Sequence, residues 1–295
     1  MTYYLSFDIG GTHIKYALMS ASGEILEKNH VMSPKDLDGF WSAIDDLILT
    51  YRSQIQGVAF SAPGRVDVDN GIIYLGGALT YLDDVHIKER IKKNYNLPAT
   101  VLNDGKAAAL AEVWQGSLKG VSEGATIILG TGVGGGLILN GKLRSGVHFQ
   151  AGELSFMLLN PANQSFDKMS GSLGSAVGMI EKINQSIGNS DIKDGLVAFK
   201  AVQAKNPEAV AIFEAYCKTI ATIILNVHAT LDLQTFAIGG GISSQELLVP
   251  EINRQYDLIL AEDPVTKSVL TRPNIVKTSF GNDANLLGAL YQLLH

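Results

Sequence analysis

The chain has 295 residues, 46% hydrophobic and 18% charged, with a net charge of −6. That length supports two cores and that composition excludes disorder, while the acidic balance disfavours nonspecific nucleic-acid binding, which needs clustered Lys and Arg. Cys217, the only cysteine, excludes an intrachain disulfide, and its helical surroundings read as a buried, inert thiol. The most apolar helical stretch, residues 220–231, is interrupted by Asn226 and His228 and followed by Asp232, so no membrane span is expected. No basic leader with an apolar core precedes the first strand, which leaves the cytoplasm as the expected location.

Residues 2–9, 13–20 and 24–32 read as three antiparallel strands with a turn at Ser22-Gly23. The first hairpin reaches Asp8, turns through Gly10, Gly11 and Thr12, and leaves along Ile14, Tyr16 and Leu18 past Lys15. Glycine amides in a tight turn make a nest for phosphate oxygens, and the Thr12 hydroxyl adds a donor. Asp8 would repel bare phosphate, so its expected job is to hold a hydrated Mg²⁺ that bridges to phosphate. The same residues also fit an ordinary hairpin whose glycines only supply positive φ.

A helix follows over 34–51, a buried strand over 56–61 and a turn over 62–67 that includes Gly64. Residues 86–95 read as helix and 99–102 as a strand that delivers Asn103 and Asp104 just before a helical run over 105–114. Ligand groups gather at such strand ends, but either side chain also suits a helix cap. Residues 125–141 repeat the first design, with Gly130, Thr131 and Gly132 at the bend. Helices are expected over 171–188, 196–205, 208–231 and 243–260. Strands are expected over 234–238 and 274–278, the first running into Gly239, Gly240 and Gly241, and a last helix opens near Ala284. The glycine triplet permits the close backbone approach a flat adenine needs, and it equally serves a plain chain reversal.

Taken together, DIGGTHIK at the start, APGRVD from Ala62, Asn103-Asp104, LGTGVGGG from Leu129, AGE from Ala151 and IGGG from Ile238 resemble the ROK sugar kinases of the actin, hexokinase and Hsp70 ATPase superfamily. The resemblance covers nearly the whole chain. It implies an α/β, two-lobed actin-like ATPase (ribonuclease H-like) fold with an interdomain active-site cleft, the lobes being 1–115 with 280–295, and 116–279. It implies ATP and Mg²⁺ as cofactors, a small-molecule sugar as substrate, no nucleic-acid or membrane partner, and a homodimer. Many members carry an added N-terminal DNA-binding module; no residues precede the hairpin here, so a repressor role is not expected.

By the same resemblance, Asp104 is the general base and Asp8 binds the metal through water. Gly10, Gly11, Thr12, Lys15, Gly130, Thr131 and Gly132 face phosphates, and Gly239–Gly241 the adenosine. Gly64, Asn103, His148 and Glu153 border the sugar. The chain departs from the family pattern after Glu153: Ser155 and Phe156 stand where glycine and a sugar-touching, zinc-ligating histidine are usual, and the three zinc cysteines are absent. No zinc site is therefore expected. A further family glutamate would align near Gly174. These losses imply a wider, more apolar pocket at the C1 end of the sugar and a kinase acting on the 6-hydroxyl of a β-glucoside such as cellobiose. An N-acetylmannosamine kinase, a glucokinase and a catalytically silent sugar-responsive regulator are the alternatives.

Overall fold

In a computed structural model, residues 2–160 and 165–295 of the chain are described. They form two compact units, one of Met1–Lys119, Leu143–Ala151 and Asn282–His295, the other of Gly120–Lys142 and Gly152–Gly281. In chain order the first contains β1 (Tyr3–Ile9), β2 (His13–Ser20), β3 (Ile25–Met32), α1 (Leu37–Tyr51), β4 (Ile55–Ala62), β5 (Arg65–Asp67), β6 (Ile72–Leu75), β7 (Val85–His86), α2 (Ile87–Tyr95), β8 (Ala99–Asn103) and α3 (Asp104–Gln115). Next come β9 (Gly124–Leu129), β10 (Val133–Leu139), β11 (Lys142–Arg144), α4 (Ser170–Leu173), α5 (Ala176–Ser186), α6 (Gly195–Gln203), α7 (Pro207–Leu231), β12 (Thr235–Gly239), α8 (Leu248–Glu262), α9 (Pro264–Val269) and β13 (Asn274–Lys277). The last helix, α10 (Ala284–Leu294), belongs again to the first unit.

The first unit's main sheet runs β3-β2-β1-β4-β8. β1 pairs antiparallel with β2 and parallel with β4, and β4 pairs parallel with β8. This meander followed by parallel crossovers is why β1 is almost wholly buried: it has a neighbour on each side and side chains packed on both faces. Phe7 and Phe60, register partners across β1 and β4, stack with centroids 4.9 Å apart, and each buried phenyl ring contributes about 2 kcal/mol by area. The second unit repeats the plan, with β10-β9-β12-β13 in order, β9 antiparallel to β10 and parallel to β12.

Local signals set most element ends. Asp36 caps α1 by accepting from Gly39 N, and Asn206 caps α7 with Pro207 in its first turn. The helix expected over 171–188 is instead two. Gly174 ends α4 where an added Cβ would lie 2.7 Å from Val133 Cγ2, and Ser175 starts α5 by accepting from Gly178 N. The helix expected from 243 begins at Leu248, after a 3₁₀ turn at Gly241–Ser244. Pro250 is the reason, since proline is tolerated in a first turn and breaks a helix interior.

Helix α7 is long and apolar enough, by length and composition, to cross a membrane. Its buried side chains Phe213, Ile220, Ile223, Ile224 and Val227 pack in the second unit's core together with Phe236 and Ile252, so its length serves that core. Cys217 on the same helix is fully buried, and burial pushes its thiol pKa well above the ordinary range.

Candidate functional site

Parallel β1, β4 and β8 end side by side, so the carboxyl ends of the first unit's sheet collect several of the singled-out residues. Asp8 lies in register with Ser61, and Ala62 with Asn103. The Asp8 side chain is nearly buried; Asn285 Nδ2 donates to its Oδ1 at 2.9 Å and Lys15 Nζ lies 3.3 Å from Oδ2. Asn285 was not legible as a site residue, because it sits at the far end of the sequence on α10. Lys15 is therefore a partner of Asp8, set opposite it on β2.

The bend between β1 and β2 is tied at both ends. Gly10 N donates to His13 O at 3.0 Å, Ser33 N donates to Thr12 O at 2.9 Å, and Ser33 Oγ donates to Gly10 O at 2.5 Å. Gly11 and Thr12 at the tip are exposed. Their amides give no hydrogen bond to a backbone carbonyl among the described residues, which leaves a concave pair of donors suited to an anion.

Asn103 is the cap of α3. Its Oδ1 accepts from Lys106 N at 3.3 Å and its Nδ2 donates to Gly64 O at 2.9 Å, so one side chain ties the β4 turn to the helix start. Asp104, the first residue of α3, is exposed, and its Oδ1 accepts from Gly105 N at 2.7 Å. A carboxylate there is stabilised by the positive end of the helix.

Lys106 is 2% exposed and donates from Nζ to Phe149 O at 2.5 Å. A buried lysine needs such a partner, and this one holds the segment Leu143–Ala151 within the first unit. That segment turns through Gly146 and Phe149, both at positive φ, and carries His148 exposed.

The second unit holds the other candidates. Gly130 N donates to Gly132 O at 3.1 Å, and Gly130 O accepts from Ala176 N at the start of α5. Thr131 is exposed at the tip. Ser155 clamps the outgoing strand: its Oγ accepts from Val133 N at 3.0 Å and donates to Val133 O at 3.1 Å. The two bends thus share a device, a distant serine holding a glycine turn, and neither serine's partner could be read from a single sequence.

Gly239 pairs in register with Ile128, which brings the triplet Gly239–Gly241 beside the second bend. Gly240 sits at φ +93°, and an added Cβ would lie 2.1 Å from Leu129 O, so only glycine fits. Glu153 precedes a 3₁₀ turn, Leu154–Phe156, in which Leu154 is buried and Phe156 exposed. Gly174, the position at which the family's glutamate was expected to be missing, is packed so closely that an added Cβ would lie 2.7 Å from Val133 Cγ2 and 2.9 Å from Ser170 O.

Asp8 was expected to serve a metal. Among the described residues no group of three or more His, Cys, Asp or Glu is placed to hold one. A single, sterically fixed carboxylate fits Mg²⁺, which keeps several waters and takes its remaining ligands from phosphate.

The sequence model of the ROK family matches residues 4–295. A β-glucoside kinase of Listeria innocua is 29% identical over 298 residues, covering 98% of this chain and 96% of the relative. An N-acetylmannosamine kinase of Haemophilus influenzae is 29% identical over 298 residues, covering 97% and 94%. Among solved structures, a ROK family protein of Streptococcus pneumoniae in complex with sucrose superposes with a TM-score of 0.89 at 26% identity, over 99% of this chain and 98% of that one. A ROK glucokinase of Streptomyces griseus with glucose and AMPPNP gives 0.83 at 23% identity, over 98% of each chain.

Proposed function

The chain belongs to the ROK family, with its two-domain actin-like ATPase fold, and on that premise we propose that it is a cytoplasmic, ATP-dependent sugar kinase that phosphorylates the 6-hydroxyl of a hexose unit. The observation that supports this most is the gathering of Asp8, the Gly10–Thr12 bend and the Asn103-Asp104 pair at the carboxyl ends of one sheet.

Asp104 accepts the proton of the sugar hydroxyl as its oxygen bonds to the γ-phosphorus and the bond to the leaving ADP oxygen breaks. The transition state is loose, so the base chiefly orients the nucleophile. Asn103, fixed to Gly64 O and Lys106 N, offers its second Nδ2 hydrogen to the sugar, and Glu153 accepts from ring hydroxyls. Amides of Gly11, Thr12, Thr131 and Gly132 bind phosphate oxygens, and the Gly240–Gly241 backbone lies against the adenosine. When bound at Asp8, Mg²⁺ offsets the phosphate charge that builds up on the leaving side. Lys15, half-exposed beside Asp8, swings from the carboxylate to a phosphate oxygen.

The assigned substrate is a β-glucoside. The β-glucoside kinase relative and the apolar Phe156 favour it; the N-acetylmannosamine kinase relative supports the second reading. Comparing kcat/KM for cellobiose, glucose and N-acetylmannosamine in an ADP-release assay decides between them. A preference for either monosaccharide rejects the glucoside, and no sugar-dependent ADP release rejects the kinase in favour of a silent regulator.

Ser155→Ala removes the clamp on the second bend. One hydrogen bond is worth about 1 kcal/mol, so the KM for ATP rises roughly 5-fold with little change in the KM for sugar. An equal rise in both would mean that Ser155 does not act on the phosphate side.

A further inference from the structure

We propose that Phe156 and Phe166 together form a subsite for a second ring carried by the sugar being phosphorylated, a glycosyl or aryl substituent; the proposal rests on the sugar-kinase reading above. Both side chains are large, apolar and exposed, at 61% and 63%, and their rings are neighbours with centroids 6.2 Å apart, tilted at 56° to each other. Phe166 lies in a 3₁₀ turn, Phe166–Lys168, ten residues downstream and was not singled out by the sequence.

The pair is held in place from below. Ser170 Oγ donates to Leu154 O, Ser170 N donates to Met157 O at 2.9 Å, and Leu158 bridges to Met169. Leu154 is buried and Ser155 is committed to Val133, so the turn that carries Phe156 cannot roll to bury its ring. Two exposed phenyl rings on so constrained a support leave apolar area in water, which costs free energy unless a ligand covers it.

The occupant follows from what stands beside them. Glu153 is the residue at which the 3₁₀ turn carrying Phe156 begins, and Phe156 N donates to Glu153 O at 3.3 Å. The carboxylate proposed to accept from sugar hydroxyls therefore stands one turn along the chain from a ring that can only pack against C–H groups. A lone monosaccharide uses its hydroxyls on polar partners and gains nothing from a second phenyl ring one step further out. A sugar bearing another ring has both: hydroxyls for Glu153, and the flat C–H face of a pyranose, or an aryl ring, for Phe156 and Phe166.

The test compares kcat/KM for cellobiose and p-nitrophenyl β-glucoside with that for glucose, in wild type, Phe166→Ala, Phe156→Ala and Phe156→Trp. The wild type is expected to favour the ring-bearing substrates. Each alanine variant should lower the ratio of ring-bearing substrate to glucose about 10-fold through KM, the scale of a lost apolar pocket contact, and the tryptophan variant should keep it. A ratio unmoved in both alanine variants overturns the subsite, as does a wild type that phosphorylates glucose and neither glucoside. A wild type that phosphorylates no sugar overturns the kinase reading itself. If the double alanine variant instead dissociates a wild-type oligomer in sedimentation, the rings are a self-association surface and the proposal falls.

Discussion

Asp104→Asn lowers kcat at least ~100-fold and leaves ATP binding intact, because a positioned base supplies roughly 10²- to 10⁴-fold. The substitution isolates the proton acceptor. Asparagine has the same shape, keeps an Oδ1 for the bond from Gly105 N, and stays at the first position of α3 beside its cap Asn103. Only the negative charge and the basic lone pair are lost. A 100-fold loss corresponds to about 2.7 kcal/mol of transition-state stabilisation, far more than an exposed carboxylate contributes to folding, so activity should fall without a matching fall in melting temperature. Measuring kcat by coupled ADP release and ATP affinity by calorimetry separates the two. Turnover within 10-fold of wild type would remove Asp104 from the chemistry.

Gly288→Ala destabilises the first unit by about 3 kcal/mol, the upper range for overpacking a core. Helix α10 crosses α3 and β4, and a Cβ at Gly288 would lie 1.7 Å from the backbone oxygen of Ala107. That neighbour cannot rotate away, so α10 has to lift off. The lift carries Leu286 O away from Ser6 Oγ, a buried 2.7 Å bond, and Asn285 away from Asp8. The melting temperature should drop roughly 6–12 °C by the usual scaling for domains of this size, and the KM for ATP should rise because Asp8 loses its fixed orientation. An unchanged melting temperature would mean that the two helices do not approach this closely.

Much of the fold could be read from residue order because the signals are local. The first two strands carry their own alternation around a glycine bend, α7 carries a helical apolar stripe with Asn206 and Pro207 at its start, and Asn103 suits a cap. What escaped depends on contacts between distant residues. Ser33 and Ser155 look like ordinary loop serines until the fold sets them against Gly10 O and Val133. Lys106 reads as a surface lysine, yet folding buries it against Phe149 O. Asn285 reaches Asp8 across 277 positions of sequence. The break between α4 and α5 was hidden because Gly174 and Ser175 act through packing on Val133 and through a cap, neither of which disturbs the apolar periodicity.

The resemblance to a family singled out candidate reactive groups that residue order and spacing alone left open between caps, turns and binding residues. Gly174, where the family's glutamate was expected to be lost, is packed against Val133 and Ser170 O, a contact that residue order alone does not reveal.

The most direct measurement is of the product itself. Wild-type protein is incubated with ATP, Mg²⁺ and cellobiose, and the mixture is followed by phosphorus and carbon NMR. One sugar phosphate should form for each ADP, with the new ester on a 6-oxygen. Inorganic phosphate without sugar phosphate, or an ester on any other oxygen, would contradict the account.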